Sequence, residues 1–350
     1  MKNIREKVRV YRKNMTLKRI INYLLVKTSL KIKSPKVFGR PLSLFIEPTN
    51  ICDLKCVLCP RGNDSIKKKQ GTMNLNNFKK IIDEIGDYAI STTLWNYGEP
   101  FINKNMIEMI KYSKKKGLKV ITSTNGFAFK NKKNIKDIVE SKLDYLIVAL
   151  DGTNQKTLEK YRVNADYKLI IEGLKELVKE KKRLNSKSPC IILQFLIMKH
   201  NEHQIETIKK IAKEIGVDEL ILKSVNIYEN LIPKEEILLL AKRFLPDNKD
   251  YQRYQIKDNK IIHKKTKING CDGLWIGTNI DYDGNVIPCC YDAYEWHIFG
   301  NVFKEPFMKI WNNQRYINFR KQVLKDKSKI KLCRNCPSNI ESQDIAKITF

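Results

Sequence analysis

From residue 41 onward the chain alternates between two hydrophobic periods. Short runs rich in Ile, Val, Leu and Thr read as strands, and each is followed by a longer run whose apolar residues recur at three and four, as on one helix face. The predicted strands are Leu42 to Thr49, Ile90 to Asn96, Lys119 to Asn125, Tyr145 to Asp151, Ile191 to Met198 and Glu219 to Val225. Between them come a helix capped by Asn74, with Phe78, Ile81, Ile82 and Ile85 on one face, then Asn105 to Lys116, Lys133 to Ser141, Tyr167 to Arg183 and Gln204 to Ile215. Gly117 and Gly216 stand where glycine closes a helix. Strands joined by helical crossovers pair in parallel, so the expected class is α/β, two units short of an eight-fold barrel.

The ends break this rhythm. Residues 1–40 form a basic extension, 13 Lys or Arg against Glu6 alone, with a helical stretch Met15 to Leu30 whose Leu17, Ile20, Ile21, Leu24 and Leu25 share a face. Most amphipathic helices turn that face to the core, and this one is expected to do so; the alternative is peripheral contact with an anionic membrane or a partner. The barrel is expected to occupy 41–228. Residues 229–270 hold one helix, Lys234 to Phe244, and a polar stretch with Lys264 and Lys265, and read as a bridge. In 271–350 a strand Leu274 to Ile280, the turn Asp283-Gly284 and a return strand Val286 to Pro288 predict a β-hairpin. A helix carrying Phe307, Ile310, Trp311, Tyr316 and Phe319 follows, which makes a small C-terminal domain.

Composition adds little about the fold but something about the setting. The formal charge is +29, yet its lysines are spread over exposed helix faces such as Lys114 to Lys116 and Lys179 to Lys182, which reads as a solvated surface. No appended RNA-binding module is visible, so nucleic acid is not the expected partner. The nine cysteines cluster at Cys52–Cys59, Cys271–Cys290 and Cys333–Cys336, with Cys190 alone. Clustering suits metal centres in a reducing compartment, and the apolar run Ile20 to Val26 is too short for a secretory signal, so a cytoplasmic location is expected.

Cys52, Cys56 and Cys59 lie at spacings of four and three directly after the first strand. Thiolates favour zinc, copper(I) or iron–sulfur clusters. Structural zinc takes four ligands, and no histidine or fourth cysteine follows within the next hundred residues, so the loop reads as holding a cubane cluster with one iron open. Cys271, Cys289, Cys333 and Cys336 can close either a cluster or a zinc site, and the residues alone leave both open. Further candidates sit at strand ends, where parallel barrels collect their chemistry. These are Gly98-Glu99-Pro100 after the second strand, Thr124-Asn125-Gly126 after the third and Ala149-Leu150-Asp151-Gly152 after the fourth.

The cysteine loop followed one strand later by Gly98-Glu99-Pro100 resembles the radical S-adenosylmethionine (radical SAM) superfamily. That resemblance implies a partial (β/α)6 barrel, a [4Fe–4S] cluster on Cys52, Cys56 and Cys59, and SAM chelated to its open iron. Gly98, Glu99 and Pro100 would hold the SAM amino group, and Thr124, Asn125 and Asp151 would face SAM. Two positions depart from the family's habit: Leu58 stands where an aromatic residue is usual, and Ala149 where a serine is common. The later cysteine order resembles the SPASM group in its shortened twitch form, which implies a second [4Fe–4S] cluster on Cys271, Cys289, Cys333 and Cys336. Cys289 is favoured over Cys290 because it ends the strand. Such an enzyme takes an electron from a flavodoxin or ferredoxin type donor, cleaves SAM to a 5′-deoxyadenosyl radical, and oxidises or otherwise modifies a carbohydrate-like or peptidyl substrate. Epimerisation with Cys290 as hydrogen donor, RNA modification, and a basic zinc protein binding nucleic acid are the competing readings.

Overall fold

The six predicted strands are present, and each ends before its expected C-terminal residue, three of them by two or three residues. They are β1 (Ser43–Ile46), β2 (Ser91–Thr93), β3 (Lys119–Thr124), β4 (Tyr145–Ala149), β5 (Cys190–Ile197) and β6 (Glu219–Ser224). The ladder stops early because the backbone there leaves the sheet to build loops. This computed structural model describes residues 14–227, 234–263, 271–334, 336 and 344–350. The basic residues before Asn14, Lys264 and Lys265 of the bridge, and Asn335 and Pro337 beside the last cysteines lie outside them.

All six strands pair in parallel, in chain order, and the helices α2 (Leu75–Ile85), α3 (Met106–Lys115), α4 (Lys132–Glu140), α5 (Tyr167–Arg183) and α6 (Ile205–Ile215) connect them. Each has an identifiable start or stop: Asn74 and Asp166 accept hydrogen bonds from Asn77 N and Leu169 N, and Gly216 ends α6 at φ +81°. On α2 the buried residues are Phe78, Ile81, Ile82 and Ile85, the face read from the sequence. This is the expected partial barrel with a C-terminal domain.

The C-terminal hairpin is part of the same sheet. β9 (Gly277–Ile280) pairs in parallel with β1, from Ser43 opposite Gly277 to Ile46 opposite Ile280, and β10 (Asn285–Ile287) and β11 (Gly300–Asn301) extend it antiparallel. A small hairpin, β7 (Tyr254–Lys257) and β8 (Lys260–His263), precedes them, after α7 (Lys234–Phe244). A last strand that the sequence reading missed, β12 (Asp344–Thr349), returns to pair antiparallel with β6, so the order is β11-β10-β9-β1-β2-β3-β4-β5-β6-β12.

Three expectations need correction. The one helix expected to carry Phe307, Ile310, Trp311, Tyr316 and Phe319 is two, Phe307–Trp311 and Gln314–Asp326, because Asn313 leaves the helical backbone and caps the second by accepting from Tyr316 N. The stretch Leu274 to Ile280 is only half strand: Gly273–Ile276 is one helical turn, which buries Trp275 and lets its Nε1 donate to Ser34 O at 2.6 Å. A short apolar run does not distinguish the two structures. The helix α1 (Leu17–Lys31) packs on the barrel by the face opposite to the one expected, burying Arg19, Asn22, Val26 and Ser29. Arg19 donates to the carbonyls of Gly86, Lys116 and Gly117, and Asn22 to those of Arg40 and Tyr88. Five or more hydrogen bonds to otherwise unpaired carbonyls outweigh the apolar stripe.

Candidate functional site

A cavity of about 390 Å³ opens at the C-terminal ends of the barrel strands. Cys52, Cys56 and Cys59 form part of its wall, with Leu58 fully buried among them. Their loop is held by its backbone. Lys55–Cys56 pairs antiparallel with Arg162–Val163, Val57 N donates to Tyr161 O at 3.0 Å, and Gly62 lies so close that a Cβ there would be 2.4 Å from Cys56 O.

Gly98 and Glu99 also line the cavity. A Cβ at Gly98 would meet Thr49 O at 2.1 Å, so only glycine lets this loop close on the cysteine loop, where Glu99 N donates to Ile51 O. Glu99 is buried, and its carboxylate accepts from Asn125 N at 2.8 Å and Phe101 N at 3.2 Å. Burial pushes its carboxyl up to about 7, against the pull of those two hydrogen bonds. Pro100 starts the 3-10 turn Pro100–Ile102 that aims Glu99, and is not itself on the cavity wall.

Thr124 and Asn125 stand on the wall too. Thr124 Oγ1 accepts from Gly126 N and Ala128 N, so it shapes the turn at Gly126, whose φ is +108°. Asn125 Nδ2 donates to Asp53 Oδ1 at 2.9 Å and lies 3.7 Å from Cys52 Sγ. Asp151 is placed elsewhere. It is fully buried behind the wall, one carboxylate oxygen accepting from Arg162 Nε at 2.6 Å and the other from Leu196 N at 2.7 Å. It does not line the cavity, and its contact there is with Arg162. That guanidinium lines the cavity with Nη1 at 4.0 Å from Cys56 Sγ. Arg162 was not legible in the sequence, because the two-residue ribbon that sets it against the cysteine loop has no local signature.

The second thiol set lies on the far side. Burial and the neighbouring thiols raise Cys289, Cys290 and Cys333, with Cys271 and Cys336 contributing to each, so these five cysteines form one neighbourhood. Cys290 and Tyr291 open onto the main cavity, Cys289 does not, and Tyr97 Oη donates to Cys290 O at 2.6 Å. None of the nine cysteines is in a disulfide.

The donor sets fit iron–sulfur clusters better than zinc. Four thiolates on one zinc, with Zn–S about 2.3 Å, stand about 3.8 Å apart. Among the described residues, the group of three or more metal-ligating side chains with all ligating atoms within 4.8 Å is Asp281, Asp283 and Glu295, and neither cysteine set is that tight. A cubane holds its thiolates further apart. Burial pushes the Cys52 and Cys56 thiols up to about 12, so ionisation there needs a strongly positive partner, and Asn125 and Arg162 offer N–H groups toward the sulfurs. The carboxylate trio already has its cation: Lys68 Nζ lies 3.2 Å from Asp281 and 2.9 Å from Asp283, and also pairs with Glu295.

Comparison with known proteins agrees with this geometry. Residues 46–212 match the family described as the radical SAM superfamily, and residues 271–337 match SPASM, an iron–sulfur cluster-binding domain. The chain is 24% identical over 305 residues to a tungsten-containing aldehyde ferredoxin oxidoreductase cofactor-modifying protein of Pyrococcus furiosus, over 79% of this chain and 82% of that protein. Among solved structures, SuiB of Streptococcus suis bound to the precursor peptide SuiA superposes with a TM-score of 0.63 at 14% identity, over 89% of this chain and 72% of that one. BtrN in complex with AdoMet and 2-DOIA gives 0.54 at 17% identity, over 88% and 98%. A three-thiol loop on a parallel partial barrel, a buried glutamate one strand on, and a four-thiol C-terminal domain thus coincide with both family matches: the chain belongs to the radical SAM superfamily and carries a SPASM domain.

Proposed function

We propose that this radical SAM enzyme uses two [4Fe–4S] clusters to oxidise a polar substrate, peptidyl or carbohydrate-like. One observation carries the reading: a single cavity has the thiols of Cys52, Cys56 and Cys59 on one wall and Cys290, beside the second thiol set, on another. When bound, the first cluster and SAM supply a 5′-deoxyadenosyl radical that removes a hydrogen atom from substrate. Cys52, Cys56 and Cys59 hold that cluster and leave one iron for SAM. Glu99 accepts a hydrogen bond from the SAM amino group, and Arg162, fixed by Asp151, offers a cation to its carboxylate. Cys271, Cys289, Cys333 and Cys336 hold the second cluster, with all its irons ligated, as suits electron transfer.

The substrate reading draws on the rest of the wall. Ser123, Gln194, Lys223, Asn226 and Arg253 present hydroxyl, amide and cationic groups to the cavity, which suits a substrate rich in hydroxyl, amide or carboxylate groups. SuiB binds a peptide and BtrN binds 2-DOIA, so the fold accommodates both classes. The reducing electron would come from a flavodoxin or ferredoxin type donor; such donors are acidic, and a chain of formal charge +29 offers them a complementary surface.

Epimerisation is the second reading, favoured by the opening of Cys290 onto the cavity, where a thiol could return a hydrogen atom. The common part is tested by anaerobic reconstitution. Wild-type protein is expected to hold about eight irons, four for each cubane, and to form 5′-deoxyadenosine with dithionite and SAM. The triple Cys52→Ala, Cys56→Ala, Cys59→Ala variant should keep about half the iron and form none. Zinc in place of iron, or 5′-deoxyadenosine from the variant, overturns the assignment.

A further inference from the structure

The outward face of α1 is a feature that the chemistry of the cavity leaves unused. Because Arg19, Asn22, Val26 and Ser29 dock the helix, its apolar stripe points away from the protein: Leu17 is 72% exposed, Leu24 57%, Ile21 49% and Ile20 42%, with Leu25 and Tyr23 beside them. Ile32 and Phe38, just beyond the helix, continue the patch at 58% and 49%. Six or more large apolar side chains in one strip exceed the scattered exposure usual on a protein surface.

The charges around the strip select its occupant. By the 3.6-residue period, Lys18 and Lys27 lie along the two sides of the strip and Lys31 at its C-terminal end, and Lys33 and Lys36 follow, all exposed. No acidic residue occurs between Asn14 and Arg40, and the preceding thirteen residues add Lys2, Arg5, Lys7, Arg9, Arg12 and Lys13 against Glu6. A second copy of the chain would bring this basic segment against itself, at a repulsive cost. The strip is convex, so it does not form a groove for a peptide. Apolar residues along the middle with lysines at both margins match a helix lying in the plane of a membrane interface, its side chains among the acyl chains and its ammonium groups at anionic headgroups. No described helix is long and apolar enough to cross a membrane, so contact would be from one side.

We propose that α1 docks the enzyme on an anionic phospholipid surface. Arg19 and Asn22 fix the helix to the barrel through main-chain carbonyls, so the whole barrel would be held at the bilayer in one orientation. The proposal is independent of the substrate. It is tested by sedimenting the full-length reconstituted protein with vesicles of phosphatidylglycerol and phosphatidylcholine in equal parts, and with vesicles of phosphatidylcholine alone. Binding to the mixed vesicles only, weakened by salt, is expected. The triple variant Leu17→Gln, Ile21→Gln, Leu24→Gln changes exposed residues only; it should lower partitioning by at least about tenfold while 5′-deoxyadenosine formation is unchanged. Absence of binding to anionic vesicles, or undiminished binding by the variant, overturns the proposal, as does a concentration-dependent dimer that the variant abolishes without any vesicle binding.

Discussion

Glu99 shows how much one side chain can be committed before any ligand arrives. Its two oxygens already accept from the main-chain N–H groups of Asn125 and Phe101, so both ends are fixed as acceptors. A glutamine there has to turn an amide N–H toward one of those donors. Glu99→Gln should therefore weaken SAM binding by about 1.5–3 kcal/mol, the range for a hydrogen bond to a charged group, as read by anaerobic equilibrium dialysis of the reconstituted protein. Unchanged affinity would leave Gly98-Glu99-Pro100 as a turn and nothing more. Alone Gly98-Glu99 would read as a turn; Glu99 was legible because it stands one strand after the three-cysteine loop, the order that resembles the radical SAM superfamily. Asp151 had the same local appearance, yet it is sealed under the wall by Arg162, a partner that only the folded ribbon beside Cys56 brings near.

At the scale of elements, one lysine of the segment after the cysteine loop gathers three carboxylates of the C-terminal domain, beside a hydrogen bond from Tyr282 Oη to Lys69 O. Burial disfavours the Lys68 ammonium, but the carboxylates of Asp281, Glu295 and Asp283 outweigh that and hold it above its ordinary value. Lys68→Met keeps the length of the side chain and removes its charge, leaving three carboxylates crowded without a cation. Asp283 keeps 33% of its side chain exposed and Lys68 14%, so losing the cation should cost less than the roughly 3–5 kcal/mol of a fully buried pair. A lowered unfolding midpoint in the reconstituted variant, together with a raised demand for iron to reach full loading, is the expected outcome; a midpoint equal to wild type would mean that water replaces the ammonium. None of this was readable beforehand, since Lys68 is one lysine among many and its partners are more than two hundred residues away. Helix α1 failed for a related reason. Periodicity identifies an apolar face, but which face docks was decided here by main-chain carbonyls of the barrel that no pattern in residues 17–31 records.

For the whole molecule, the open question is the fate of the substrate radical, and the cavity brings both answers within reach. Passing an electron to the second cluster gives a product two hydrogens lighter, with no deuterium taken up at carbon in deuterated water. Return of a hydrogen atom by Cys290 gives a product one unit heavier, and Cys290→Ala should then abolish the label. The expected result is the oxidised product, read by mass spectrometry of substrate-containing extracts; label that vanishes in the Cys290 variant would establish epimerisation instead. The barrel was legible because it rests on local periods, and the first cysteine loop stood out by its close spacing; the later cysteines are too far apart in the chain for that and were grouped by the family resemblance. The joining of the two halves was not, because the partners of β9 and β12 are distant in the chain. That joining has a consequence for how such proteins can be rebuilt. Since β9 lies hydrogen-bonded along β1, the strand that leads into the first cysteine loop, the cluster domain is not a cartridge that can be unplugged. Cutting the chain before Cys271 would turn β1 from an interior strand into a raw edge, open to pairing with other chains. Exchange of one half between relatives would therefore have to rebuild the β1–β9 pairing as well as the cavity wall.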